Sequence, residues 1–348
     1  MKNKTQFTNI HNFPLKVITT LLFVGFVFTG CTALQEAQKR KDERLLKKRN
    51  VNSLMLSPSD ASIDVDPNPS EGNPHGISDH YTLTLMDDLI ATQAFDEAPE
   101  RETFTLSALA YMESLYDALY DIFGFKPEHK IHVKLHDIYR GTRLAATTTT
   151  MSGRKFYRGG YIKTITGIGM DFPKAMYDSP GTRVHELTHA FTNIYYLPTW
   201  FSEGIAVLMQ SEYARGGAHP KFDNLDSNLK LDLDGINLLE SWGGHADLQS
   251  TPLTSWRYSY AYSVVSELRK RFGNDFYIKV FELMEEDQLH IKLEGNMPTS
   301  MVVYYLSQAA GEDLVPFFSN LQFKVNKLNK TDIIQFIEQT KPSNNRRK

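Results

Sequence analysis

Two histidines four residues apart with a glutamate between them, His185-Glu186-Leu187-Thr188-His189, constrain this 348-residue chain more than any other stretch. On an α-helix the side chains at i and i+4 lie one above the other, so both imidazoles share a face and can grip one metal ion. Glu186 falls on the adjoining face, where a carboxylate can act on water held at the metal. The pattern reads as a zinc-binding helix. Its flanks agree: Ser179 serves as a cap and Pro180 as the first helical residue, and Val184, Leu187, Thr188 and Phe191 supply an apolar side.

Zinc in a hydrolytic site takes three protein ligands and keeps one position open, so a third ligand has to come from elsewhere in the chain. A metzincin would carry glycine at 192 and histidine at 195, where this chain has Thr192 and Tyr195. Further on, Pro198 to Ala206 reads as the start of a second helix, capped by Thr199 and ending near Gly216-Gly217, with Glu203 in its first turn. If the short 193–198 connection folds the two segments into a helical hairpin, that carboxylate faces back toward the histidines.

Taken together, His-Glu-x-x-His and the following Trp200-x-x-Glu203-Gly204-x-Ala206 resemble the gluzincin metallopeptidases, the clan of the thermolysin-like enzymes and their aminopeptidase relatives. The resemblance covers about the middle half of the chain, from Tyr81 to Asp275. It implies a zincin-like α+β fold: an amino-terminal α+β lobe with a mixed sheet and the His-Glu-x-x-His helix, then a helical carboxy-terminal lobe. It also implies one Zn2+ held by His185, His189 and Glu203, with Glu186 as general base in the hydrolysis of a peptide or protein substrate. Tyr260, in the segment Arg257 to Val265, aligns best with the tyrosine that stabilises the oxyanion in this family, and His245 in the Trp242-Gly243-Gly244-His245 loop is the competing electrophile. Two departures stand out. Val207 occupies the place of the thermolysin-type helper aspartate, so the groups orienting the histidines must come from elsewhere. Gly167-Ile168-Gly169-Met170-Asp171 only loosely echoes the exopeptidase signature Gly-x-Met-Glu-Asn, so the resemblance does not extend to amino-terminal trimming.

The amino terminus has the layout of an export signal: Lys2, Lys4 and Lys16, an apolar run from Val17 to Phe28, then Thr29-Gly30-Cys31. Cys31 is the sole cysteine, which rules out an intrachain disulfide. Phe28-Thr29-Gly30-Cys31 resembles the lipobox of bacterial lipoproteins, which implies lipidation at Cys31 and a membrane contact through that anchor. Thr32 is not the aspartate that retains such proteins at the inner membrane, so the expected place is the cell envelope, at the outer membrane if the cell is Gram-negative. The expected division is a signal peptide over 1–30, a lipidated cysteine and disordered tether over 31–80, and the metallopeptidase domain over 81–340. The tether expectation rests on the charged stretch Glu36–Arg49 and the Ser-, Pro-, Asp- and Asn-rich stretch Asn50–His80.

A net charge of −3 and the lack of a Gly-rich phosphate loop leave no footprint for nucleic acid. Tyr81–Leu85 and Lys130–His136 alternate as strands, which makes His132 and His136 same-face strand residues of structural or solvated character, and Tyr161–Met170 reads as a third strand. Helical patterns cover 106–123, 258–272, 275–284, 299–310 and 331–339. Two rival readings use the same residues: a non-catalytic envelope lipoprotein that keeps the scaffold as a binding module, and a zinc amidase acting on cell-wall peptides.

Overall fold

Alternation along three strands builds the face on which the site rests. The computed structural model describes residues 56–341 apart from 93, 138–145, 159, 215–218 and 244–251. Cys31, the apolar run before it, His245 and the Gly216-Gly217 pair lie outside the described residues. The fold is α+β with a mixed six-stranded sheet: β1 (Ile63–Val65), β2 (Gly76–Ser78), β3 (Tyr81–Leu85), β4 (Ile131–His136), β5 (Thr147–Tyr157) and β6 (Gly160–Pro173), in spatial order β1-β2-β3-β4-β6-β5. β3, β4 and β6 run parallel, and the remaining pairs are antiparallel. Tyr81, Leu83 and Leu85, with Ile131, Val133 and Leu135 beside them and then Ile168, Met170 and Phe172, point to one side and are buried. His132 and Lys134, on the opposite side, are exposed, as a one-sided sheet requires. His132 Nδ1 pairs with Thr82 Oγ1 at 2.8 Å, and His136 Nε2 lies 3.5 Å from Asp171, so neither strand histidine belongs to the metal cluster.

The crossover between parallel β3 and β4 contains α1 (Ala98–Phe123), which starts on Pro99 in its first turn and ends on Gly124 in the left-handed conformation. Its Leu109, Met112, Tyr116, Leu119 and Phe123 are buried. Tyr116 and Phe123 meet Phe191 of α2 (Pro180–Thr192), with ring centroids 4.9 and 5.8 Å apart. Full burial of an aromatic ring like Phe191 stabilises by about 2–3 kcal/mol, so these contacts fix α2 against α1. After a 3-10 turn at Asn193–Tyr195, Tyr196 adopts a left-handed backbone with φ of 51° and reverses the chain into α3 (Thr199–Tyr213). The expected helical hairpin is present. Ser179 and Pro198 precede the two helices without side-chain caps, so Thr199 is the first helical residue and not the cap. The remaining longer helices are α4 (Pro252–Phe272), α5 (Phe276–Glu286), α6 (Thr299–Ala310) and α7 (Lys330–Thr340).

Residues 56–80 correct the expected tether. Ile63–Val65 and Gly76–Ser78 are strands, and Leu56 and Ile63 pack against the core. The Arg101 guanidinium binds the Pro67 carbonyl and the Asn68 side chain at 2.8 and 2.6 Å, and the imidazole of buried His75 accepts the Leu85 amide at 3.2 Å. Three-residue strands are too short for alternation to register, and partners distant in sequence supply their order. Residues from Leu56 onward cluster as one compact unit, with the strands in its amino-terminal part and mainly helices after β6. Among the described residues no helix is long and apolar enough to cross a membrane.

Candidate metal centre

Helical phase places His185 and His189 on the same side of α2, and after the left-handed reversal at Tyr196 the start of α3 faces them, with Glu203 its fifth residue and just past the expected first turn. His185 Nε2 and His189 Nε2 stand 3.1 Å apart. Glu203 Oε2 lies 3.0 Å from the first and 3.4 Å from the second. Tetrahedral ligands bound at about 2.0–2.1 Å are separated by roughly 3.3 Å, so the three atoms form a triangle of the size a zinc-like cation requires. The donor chemistry fits as well. With both Nε2 atoms unprotonated, three lone pairs face one point, an arrangement relieved either by a bound cation or by a proton held between an imidazole and the carboxylate. Among the described residues this is the one His/Cys/Asp/Glu group with such convergence.

The electrostatics follow from burial and proximity. Burial opposes the charged form of Glu203, but the two histidines outweigh it and hold the carboxyl well below its usual range. Burial likewise depresses His189, and Glu203, with a smaller pull from Glu186, more than reverses the effect and raises its pKa. His189 Nδ1 lies 3.2 Å from Ser202 Oγ. Were Nε2 to bind a metal, Nδ1 would carry the proton and donate to this hydroxyl, fixing the ring. Val207 is fully buried and offers no such group, and Ser202, the residue before Glu203, is the side chain within reach of His189 Nδ1.

Glu186 is buried at the edge of the sheet. Thr148 Oγ1, on edge strand β5, sits 2.8 Å from Glu186 Oε2 and 2.9 Å from the Glu186 carbonyl, so its single proton is shared between two acceptors. The bond restrains Oε2 and with it the orientation of the carboxylate.

Tyr260 is not at the centre. Its ring is fully buried on the far side of α4, stacked on Trp256 at 5.0 Å, and its hydroxyl donates to the Leu225 carbonyl at 3.1 Å. The tyrosine beside the histidines is Tyr258, whose ring centroid is 6.2 Å from that of His185. His219 stacks on Tyr258 at 4.5 Å with an 8° interplanar angle, and Trp242 meets it edge-on at 4.8 Å. Burial, then Glu203 and Glu186, push the Tyr258 hydroxyl well above its ordinary pKa, so it stays a proton donor at neutral pH. Burial and His185 lower His219. Helix geometry contains the signal that selects Tyr258: residues 258 and 260 lie about 200° apart around a helix, whereas 258 and 262 share a face. Tyr262 indeed faces α3, its hydroxyl 3.1 Å from Ser211 Oγ.

Comparison with family models, with curated proteins and with solved structures returned no match for this chain.

Proposed function

We propose that the chain is a zinc-dependent metallopeptidase of gluzincin type with a zincin-like fold, exported and held to the cell envelope through a lipid on Cys31. The observation that carries the reading is the convergence of His185, His189 and Glu203 on one point, with the buried Glu186 carboxylate pinned beside it. Zinc bound by those three ligands would supply Lewis acidity, polarising a carbonyl oxygen and making water acidic enough to lose a proton near neutral pH.

The chain's own groups then divide the work. The Glu186 carboxylate removes the proton from the attacking water as the water oxygen bonds to the scissile carbonyl carbon, and returns that proton to the amide nitrogen as the C–N bond breaks. The Tyr258 hydroxyl donates a hydrogen bond to the carbonyl oxygen while negative charge gathers there. Ser202 keeps His189 in one tautomer. The outer edge of β5 offers unpaired backbone groups to an extended peptide, which binds as an added strand next to Thr148 and so beside Glu186.

The test joins metal analysis to turnover on the full chain. Wild type should hold one equivalent of zinc by elemental analysis and cleave a fluorogenic peptide library, whereas Glu203→Ala should lose both. Zinc without cleavage of any peptide or of purified cell-wall material would favour the scaffold reading, and wall cleavage with peptides untouched would favour the amidase. Wild type that holds no metal after dialysis against zinc would refute the proposal.

A further inference from the structure

The β5–β6 hairpin extends beyond the sheet that bears it. β6 pairs with β4 only over residues 168–173, so residues 160–167 have β5 as their one strand neighbour. At about 3.3 Å per residue the two-stranded ribbon projects roughly 25 Å. A register shift at Met151/Ser152 marks where it leaves the sheet, as a bulge that bends a strand would. One side of the ribbon is covered: Lys163 is buried, with Nζ donating to the Leu293 carbonyl at 2.9 Å, and Ser152 Oγ lies 3.0 Å from the Tyr196 hydroxyl. Pairing of Lys155 with Ile162 puts both on the opposite, uncovered side, along with Met151 and Tyr157. Phe156 stands at the tip, past the covering turns. It is 75% exposed and Tyr157 60%, among the highest values for large hydrophobic side chains among the described residues.

The charge around these rings has one sign. From Thr147 to Met170 there is no aspartate or glutamate, while Arg154, Lys155 and Arg158 cluster at the tip. Arg154 is partly neutralised by Glu294, 2.8 Å away, which leaves Lys155 and Arg158 exposed on a hairpin with no carboxylate of its own. A narrow ribbon offering four apolar side chains falls short of the roughly 800 Å² per partner of a stable protein interface. Aromatic tips interleaved with basic residues match instead the headgroup boundary of a bilayer, where rings enter the acyl border and cations meet lipid phosphates.

We infer that the β5–β6 hairpin is a membrane-docking element, inserting Phe156 and Tyr157 into the interface of an anionic phospholipid bilayer while Lys155 and Arg158 bind its headgroups. The inference is independent of the metal site. It also has a spatial consequence, because edge strand β5 carries Thr148 at its other end and docking would set the candidate centre facing along the membrane surface.

Phe156→Trp in the full chain provides a reporter, since Trp200, Trp242 and Trp256 are buried and subtract out against the parent. On vesicles mixing phosphatidylcholine with phosphatidylglycerol, emission from the introduced indole should shift to the blue and be quenched by brominated acyl chains, whatever the amino-terminal anchor contributes. Adding Lys155→Glu and Arg158→Glu should weaken that response by about tenfold or more, and salt should weaken it too. Two results would overturn the inference: indole emission that stays water-like while the protein sediments with the vesicles, or an equal response to phosphatidylcholine alone. A shift with polyglutamate but not with vesicles would assign the hairpin to an acidic protein partner and overturn it as well.

Discussion

Thr148→Val removes one hydroxyl beside the proposed base and should slow turnover by an amount the geometry sets. In the folded protein that hydroxyl donates to Glu186 Oε2 at 2.8 Å, and the glutamate is 8% exposed, so water does little to replace the bond. A hydrogen bond to a charged group contributes about 1.5–3 kcal/mol, and here the proton is shared with the Glu186 carbonyl at 2.9 Å, so about half of that reaches the carboxylate. Since about 1.4 kcal/mol corresponds to a tenfold change in rate, loss of the bond that positions this carboxylate should lower kcat/KM by about tenfold, with zinc content little changed. Thr148→Ser keeps the hydroxyl and should follow wild type. The assay is kcat/KM on a cleaved library peptide, with metal content measured on the same samples. If Thr148→Val retains its zinc and cleaves as fast as wild type, the bond does not position the base and the reasoning fails.

Glu186→Gln should bind zinc like wild type, seen as the same elemental stoichiometry, and lose about 10³-fold in kcat. Tyr258→Phe should lower kcat by about 10²-fold at nearly constant KM, whereas Tyr260→Phe, altering a hydroxyl bound to Leu225, should leave turnover within about twofold. Lys163 supplies a test of stability. Burial lowers its pKa to about 8 from the ordinary 10.5, so between those values the unfolded chain holds a proton that the folded chain has released. The Lys163 contribution to stability then rises with pH across that window by up to roughly 3 kcal/mol, and in urea melts at about pH 7.5 and about pH 10.5 the stability difference between wild type and Lys163→Met should change by that amount in favour of wild type. Parallel curves would mean that Lys163 keeps its proton through contacts with the Leu293 carbonyl and the Tyr196 ring.

What the sequence made legible follows from how local each signal is. Helical phase within His185–His189 determines which atoms share a face and is legible from spacing, whereas Glu203 was expected beside them from the resemblance of the second motif, and the six-residue connection does fold it back. Tyr81–Leu85 and Thr299–Ala310 have the expected bounds because alternation and amphipathic period run their full length. The groups that support the site were not legible in the same way. Thr148 reaches Glu186 across 38 residues of sequence through a strand pairing, and the threonine run 147–150 announces only a preference for extended backbone. Ser202 acts through a helix–helix contact. Strands β1 and β2 were read as tether because His75, Arg101 and the neighbouring edge order them from outside.

Gly204 shows why the second motif needs more than its glutamate. A Cβ at this position would come within 2.8 Å of the Ala261 carbonyl oxygen and 3.0 Å of Val265 Cγ1, contacts that backbone and branched side chain cannot relieve without moving α4 away from α3. The absence of a side chain at 204 therefore sets the distance between the helix carrying Glu203 and the helix carrying Tyr258. Two residues earlier Ser202 holds His189, and about one turn before Ala261 on the partner helix Tyr258 comes to rest between His219 and Trp242, facing His185. Glu203, the Ser202 hydroxyl and the proposed oxyanion donor thus depend on one close helix crossing. A change that widened it would be expected to disturb the metal geometry and the tyrosine together, whereas a change at Thr148 reaches only the base.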